Sequence, residues 1–293
     1  MPTQPGDGTV PLDDLLRQAR GTLASAGIED AALDARLLVS HFSGIDRVGA
    51  ITNPRQPVPA NRVAAVREAL ARRAGGEPVH RIIGMRSFYG LDLELSAETL
   101  EPRPDTETLV DIVLPRAQAV LARKGACRIL DLGTGTGAVA LALLSQLPGA
   151  TALGVDLVPG AVRTARLNAE RNGLADRFEA EVSDWFTKSF GAWDFIVSNP
   201  PYIRHDDIGR LARDVRDFDP ALALDGGIDG LDAYRVIAGE AKRFLADGGM
   251  VAVEIGYDQR QSVTGLFLDR GFRLIEARKD LAGHDRALMF GSS

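Results

Sequence analysis

Ile129-Leu130-Asp131-Leu132-Gly133-Thr134-Gly135-Thr136-Gly137 is the stretch on which the fold turns. The apolar run Cys127–Leu132 has the length of a buried strand. Glycine then occupies every second position, and the apolar stretch Ala138–Leu147 that follows has helical length. Strand, tight turn and helix in that order open a doubly wound α/β sheet. Glycines let the backbone turn sharply and approach a ligand closely. The helix N-terminus behind them attracts a negative group such as a carboxylate.

The same alternation continues outward. Strand candidates are Cys127–Leu132, Ala152–Leu157, Phe178–Val182, Asp194–Ser198, Met250–Ile255, Phe272–Ala277 and Arg286–Phe290. Helical stretches such as Ala161–Asn172 separate most of them. Apolar strands that alternate with helices predict a mostly parallel sheet of seven strands. The last two strands leave little room for a crossover, so an antiparallel pair is expected at that edge.

Asp156 ends the second strand, where a carboxylate can accept both hydroxyls of a ribose. That placement suits NAD or S-adenosylmethionine. The turn Gly133, Thr134, Gly135, Thr136, Gly137 lacks the wider G-x-G-x-x-G spacing that a pyrophosphate needs. A methionine moiety has no such requirement, so a methyl-donor site is expected. After the third strand, Asp184 is placed to accept from an adenine amino group and Trp185 to cover its ring. The alternative roles for this pair are a helix cap and a core aromatic.

The fourth strand runs into Asn199-Pro200-Pro201-Tyr202. An amide nitrogen is a poor nucleophile because its lone pair is delocalised. An enzyme that alkylates one must hold that lone pair towards the methyl group and accept the amide protons. Asn199 offers a side-chain carbonyl, and the Pro200 backbone carbonyl offers a second acceptor. Pro200 and Pro201 stiffen the turn and add no competing N–H. Tyr202 is placed to pack on a planar group. Two acceptors on one NH2 make orientation the main source of rate. A plain Pro-Pro turn ending a strand is the structural alternative.

The first part of the chain has a different period. Leu12, Leu15, Leu16, Ala19 and Leu23 recur at helical spacing. Asp30 is expected to cap a second helix with Leu33, Leu37 and Leu38 on one face. Pro59 opens a third pattern through Val63, Val66 and Leu70, which Gly75-Gly76 closes. A small helical bundle results, either a stabilising cap or a partner-recognition module. Ser87–Leu95 reads as a β-hairpin between the two parts. Pro102-Arg103-Pro104 then precedes a helix that starts near Asp105. The expected domains are residues 1–80, a linker over 81–101, and residues 102–293.

Composition narrows the function. Net charge is −6 over 293 residues, and no run of five or more basic residues is present, which disfavours phosphate-driven nucleic-acid binding. A single cysteine, Cys127, allows no intrachain disulfide, and four scattered histidines form no metal-ligand spacing. No apolar run is long enough to cross a bilayer, and no signal peptide is visible. A cytoplasmic chain is expected, with disorder confined to Met1–Pro11 at most.

Taken together, these residues resemble one family, the release-factor glutamine methyltransferases of PrmC/HemK type. Glu77-Pro78-Val79, Ile83-Gly84, Pro102–Glu107, the Gly133–Gly137 turn, Asn199–Tyr202, Asp219–Gly227 and Glu254-Ile255-Gly256 occur in the family's order. The resemblance implies a helical domain that recognises the partner and a Rossmann-like catalytic domain. It implies S-adenosyl-L-methionine as cofactor; a monomer is expected, though not from the resemblance. It also implies methylation of N5 of the glutamine in the Gly-Gly-Gln motif of class I peptide release factors. Cofactor contacts carry over to Gly133–Gly137, Asp156 and Trp185, and glutamine contacts to Asn199, Pro200, Pro201 and Tyr202. Pro102–Glu107 is expected to lie beside the cofactor pocket as a lid, or to serve as a linker with Asp105 or Thr106 as helix cap. Glu101 and Asp219 depart from the family's usual residues. Two rivals use a similar acceptor. A DNA adenine-N6 methyltransferase would want a basic groove and a flipped base. A ribosomal-protein glutamine methyltransferase would lack the Pro102–Glu107 segment.

Overall fold

The chain divides into two units, Met1–Gly84 and Met85–Ser293, and the computed structural model describes residues 8–292. The expected disorder of Met1–Pro11 lies largely outside the described residues. At its far end, Val10–Pro11 (β1) pairs with Pro57–Val58 (β2).

In the first unit, α1 (Leu12–Ser25), α2 (Ala31–Ser43), α3 (Arg47–Thr52), α4 (Ala60–Ala74) and α5 (Val79–Ile83) surround one apolar core. Leu12, Leu15, Ala19 and Leu23 are buried, as are Val63, Val66 and Leu70. The stripe expected on α2 is rotated. Leu33 is exposed, and the buried face is Ala31, Asp34, Ala35, Leu38 and Val39. A buried aspartate breaks the apolar pattern because Arg73 on α4 donates to it at 2.6 Å. Asp30 stands at the start of α2 but makes no side-chain cap.

The second unit begins with a hairpin, β3 (Met85–Phe88) and β4 (Leu91–Glu94). Its two-residue turn, Tyr89-Gly90, has φ of 49° and 79°, the mirror-image turn that matches strand twist. The hairpin expected as part of a linker is built into this unit. Asn168, fully buried, accepts from the Glu94 N–H at 2.7 Å and donates to the Glu94 carbonyl at 3.1 Å. Its second amide hydrogen reaches the Thr136 carbonyl at 2.9 Å, so one side chain ties the hairpin to the glycine turn.

A one-turn helix, Pro104–Thr106, leads into α6 (Glu107–Lys124). Then follow β5 (Cys127–Leu132), α7 (Ala138–Gln146), β6 (Ala150–Asp156), α8 (Pro159–Arg171), β7 (Phe178–Val182) and β8 (Trp193–Ser198). The chain continues through α9 (Arg213–Phe218), α10 (Ala221–Leu224), α11 (Asp232–Glu240), β9 (Leu245–Glu254), α12 (Arg260–Asp269), β10 (Phe272–Lys279) and β11 (Asp285–Ser292). Among the described residues, seven strands form one sheet in the order β10-β11-β9-β8-β5-β6-β7. β5 to β9 are parallel, and β11 runs antiparallel to both β9 and β10, the edge reversal that the short connection predicts. Successive strand residues point to opposite faces, which gives two cores. Ile129, Phe195, Val197 and Ala252 pack under α6, α7 and α8, while Leu130, Ile196, Val251 and Val253 pack under α11 and α12. Cys127 lies in the first core, and burial pushes its thiol pKa up to about 12.

Candidate active site

Strand order places the site. The chain leaves β5 in one direction for β6 and β7, then reverses to β8 and β9. Ligands of such sheets bind at the carboxyl ends of the strands beside that reversal. Register puts Leu132, Ser198 and Val253 side by side on β5, β8 and β9. The next residues, Gly133, Asn199 and Glu254, therefore stand in a row, and the first two line one cleft. The Ser198 hydroxyl donates to the Leu132 carbonyl at 2.7 Å and holds the first two strand ends together.

Gly133, Gly135 and Gly137 have φ of 69°, 56° and 83°, a left-handed run that side chains resist. The Gly133 and Thr134 amides donate to the Val155 carbonyl, so the turn is anchored on β6. Asp131 is buried beneath it, accepting from the Thr134 hydroxyl at 2.7 Å and the Ala140 N–H at 3.3 Å. Burial pushes its pKa up to about 6, against the pull of those two donors. Asp156 accepts from the Gly135 and Val158 amides, both at 2.9 Å, and burial raises its pKa.

The raised pKa of Asp131 has a thermodynamic signature. Its ordinary value is 3.8, so between pH 4 and 6 the folded chain holds a proton that the unfolded chain has released. Stability from this group is thus greatest at low pH and falls as pH rises through that window. Asp131→Asn removes the titration. Its stability relative to the native chain is expected to improve by up to about 3 kcal/mol between pH 4 and pH 7 in urea unfolding. A stability difference that does not change with pH would place the Asp131 carboxyl at its ordinary pKa.

The cleft is lined by Asp131, the backbone of Gly133–Thr136, Asp156, Asp184, Trp185, Asn199 and Pro201. Glu98, Leu100, Pro102, Thr106, Pro220, Leu222 and Ala223 complete the wall. Trp185 has φ of 46°, a strained conformation for a bulky residue. Ser183 fixes it by donating to the Trp185 carbonyl and accepting from the Lys188 amide. This donor set fits S-adenosylmethionine. Carboxylates and open backbone would suit a charged amino-acid end, Asp156 offers acceptors for a ribose diol, and Trp185 with Asp184 offers a ring and an acceptor for adenine.

Three of the expected residues stand elsewhere. Gly137 caps α7 behind the turn, and Pro200 is buried outside the cleft wall. Tyr202 turns away from the cleft: its hydroxyl donates to Glu254 Oε1 at 3.2 Å, and its carbonyl accepts from Gln259 at 2.9 Å. Thr106, proposed as a cap of α6, makes no cap. Its hydroxyl accepts instead from the Asn199 side-chain amide at 3.2 Å. The departures at Glu101 and Asp219 are both paired: Arg86 reaches Glu101 at 3.5 Å and Arg103 reaches Asp219 at 2.5 Å. Among the described residues, no group of acidic, histidine or cysteine side chains could hold a metal, and no helix is long and apolar enough to cross a membrane.

Comparison with known proteins accounts for both units. The PrmC N-terminal domain family matches residues 14–84, and the methyltransferase small domain family matches residues 114–215. A release factor glutamine methyltransferase of Agrobacterium fabrum is 52% identical over 97% of this chain and 98% of its own length. Those of Rhodospirillum rubrum and Vibrio cholerae are 45% and 40% identical, over 98% and 96% of this chain and 87% and 96% of their own lengths. Among solved structures, the catalytic domain of hMettl16 superposes with a TM-score of 0.55 at 18% identity, covering 76% of this chain and 81% of that one, which is a likeness of fold. Identity of this extent over nearly the whole chain, with the helical unit matching the PrmC N-terminal domain family, makes this chain a member of the release factor glutamine methyltransferase family.

Proposed function

We propose that the chain transfers a methyl group from S-adenosyl-L-methionine to the N5 amide nitrogen of the glutamine in the Gly-Gly-Gln motif of class I peptide chain release factors. One observation carries this reading: the acceptor residue Asn199 and the donor turn at Gly133 close adjacent strands in the same cleft. When bound, S-adenosylmethionine supplies an electrophilic methyl group on a sulfonium. The residues of the chain do the rest. Gly133–Thr136, Asp156, Asp184 and Trp185 hold the donor. The Asn199 carbonyl accepts one hydrogen of the glutamine NH2, which directs the nitrogen lone pair at the methyl carbon. The bound donor would supply its methyl group to that nitrogen, whose extra proton would leave to solvent. The apolar wall of Leu100, Pro102, Pro201 and Leu222 limits water around the reacting atoms.

The test is a labelled methyl-donor assay with release factor, its Gln-to-Ala variant and DNA offered separately. Label on the native release factor alone is the expected result. Label on DNA, or equal label on the Gln-to-Ala variant, would reject the assignment.

The same reading gives the helical unit the task of recognising the release factor, with the chain working as a cytoplasmic monomer away from nucleic acid and membrane. Removing residues 1–84 is then expected to lower kcat/KM on intact release factor by on the order of 100-fold, while cofactor affinity changes by less than about threefold. Equal loss of both, measured by kinetics and calorimetry, would mark the unit as a structural cap.

A further inference from the structure

Glu254 is 2% exposed, yet it ends β9 one step beyond the acceptor loop. Two hydroxyls face its carboxylate. Tyr202 donates to Oε1 at 3.2 Å, and Thr106 stands in hydrogen-bonding reach. Oε2 is buried and makes no well-formed hydrogen bond with any described residue. Thr106 in turn meets the Asn199 amide. Side chains from three elements thus form a line, Glu254, Thr106 and Asn199, that ends at the acceptor carbonyl.

We propose that Glu254 is a positioning residue for methyl transfer, acting through Thr106 to fix which end of the Asn199 amide faces the acceptor nitrogen. This rests on the reaction proposed above. An ionised carboxylate has no hydrogen to give. Thr106 has one, and the carboxylate, whose Oε2 lacks a donor, is the acceptor in reach. Only the lone pairs of the Thr106 oxygen remain for Asn199, so the NH2 of Asn199 must turn to Thr106 and its carbonyl must turn to the cleft. A neutral, hydrogen-donating group at position 254 releases the Thr106 hydrogen. The Asn199 amide can then flip and present its NH2 to the NH2 of the substrate, two donors facing each other.

The surroundings of Glu254 place its titration where it matters. Burial is the leading influence and raises its pKa to about 7. Thr106, Tyr202 and Arg286 pull it down, and Asp105 pushes it up. Tyr234 on α11 donates to the Glu254 backbone carbonyl at 2.8 Å. Arg286 on β11 is itself held by Asp280 at 3.0 Å.

The experiment compares the native chain with Thr106→Val, Thr106→Ser and Glu254→Gln. Thr106→Val keeps the shape and removes the hydroxyl. Both Thr106→Val and Glu254→Gln are expected to lower kcat by tenfold to on the order of 100-fold, with cofactor affinity and KM for release factor within about threefold. Thr106→Ser is expected to recover most of that loss. In the native chain kcat should rise with pH about a midpoint near 7, and Glu254→Gln should lose that limb. The Asn199 side-chain amide resonances give a reading without substrate. They should titrate with the Glu254 midpoint in the native chain and cease to do so in Thr106→Val. If Thr106→Val turns over at the native rate, or Glu254→Gln keeps the acid limb, the relay is wrong. If Glu254→Gln does not fold, the two Thr106 variants and the amide resonances decide. A native chain that labels no release factor overturns the proposed reaction instead, and the resonances still judge the relay.

Discussion

Asn199→Ala is expected to abolish turnover, lowering kcat by on the order of 1000-fold, while S-adenosylmethionine affinity stays within about threefold. The Asn199 side chain projects from the end of β8 into the cleft wall, and its amide nitrogen is committed to Thr106 at 3.2 Å. Its carbonyl is therefore the group left for the acceptor. On the proposed reaction, truncation removes the hydrogen-bond acceptor that orients the nucleophile and that gains strength as positive charge develops on nitrogen. It leaves Asp131, the glycine turn, Asp156 and Trp185 in place, so the donor site persists. Steady-state kinetics on release factor and calorimetry with the cofactor make the comparison. Turnover within about tenfold of native would remove Asn199 from the reaction.

Gly226→Ala is expected to be nearly as damaging, though position 226 does not line the cleft. A short parallel bridge pairs Ile203 with Asp225. The Ile203 amide donates to Leu224, the Gly226 amide to Ile203, and the His205 amide to Gly227. The segment after α10 thus runs alongside the acceptor loop and supports it. A Cβ on residue 226 would lie 2.8 Å from the Tyr202 Cα, 2.9 Å from the Pro201 carbonyl oxygen and 3.0 Å from the Gly230 Cα. All three are backbone atoms, so no side-chain rotation relieves the clash. The acceptor loop must move, and a shift of that size costs on the order of 100-fold in kcat with about 2 kcal/mol of stability. A Gly226→Ala chain with native kcat would show that the loop tolerates displacement.

The strands were legible as short apolar or alternating runs set between helical stretches. Cys127–Leu132 and Phe178–Val182 match residue for residue, and most others differ by a residue or two at their ends. Larger differences arise where pairing with a neighbour extends a strand beyond its apolar run, as in Leu245–Glu254. The short elements were not legible. Two-residue strands such as Val10–Pro11 have no period to detect. The buried stripe of α2 was misplaced because Asp34 looks like a solvent residue until Arg73 is folded against it. The candidate site divides in the same way. Gly133–Gly137 and Asn199–Tyr202 are contiguous and carry their chemistry in local order. Thr106, Gly226 and Glu254 acquire their roles only through contacts between distant segments. Each lies within a stretch singled out by resemblance, but nothing in the linear order says that Thr106 and Glu254 meet at Asn199. Tyr202 shows the converse. It is part of a motif expected to face the substrate, and the fold turns its hydroxyl to a buried carboxylate.

The sealed position of Cys127 has a practical consequence. The chain's one sulfhydryl sits in the core under α6 and α7 and is thiolate-poor at any working pH. Alkylating dyes should therefore ignore the folded chain. A cysteine introduced at an exposed position such as Leu222, on the cleft wall, would then be the one site that takes a fluorophore. Arrival of a release factor at the cleft mouth could be followed in real time by emission, with no background from the rest of the protein.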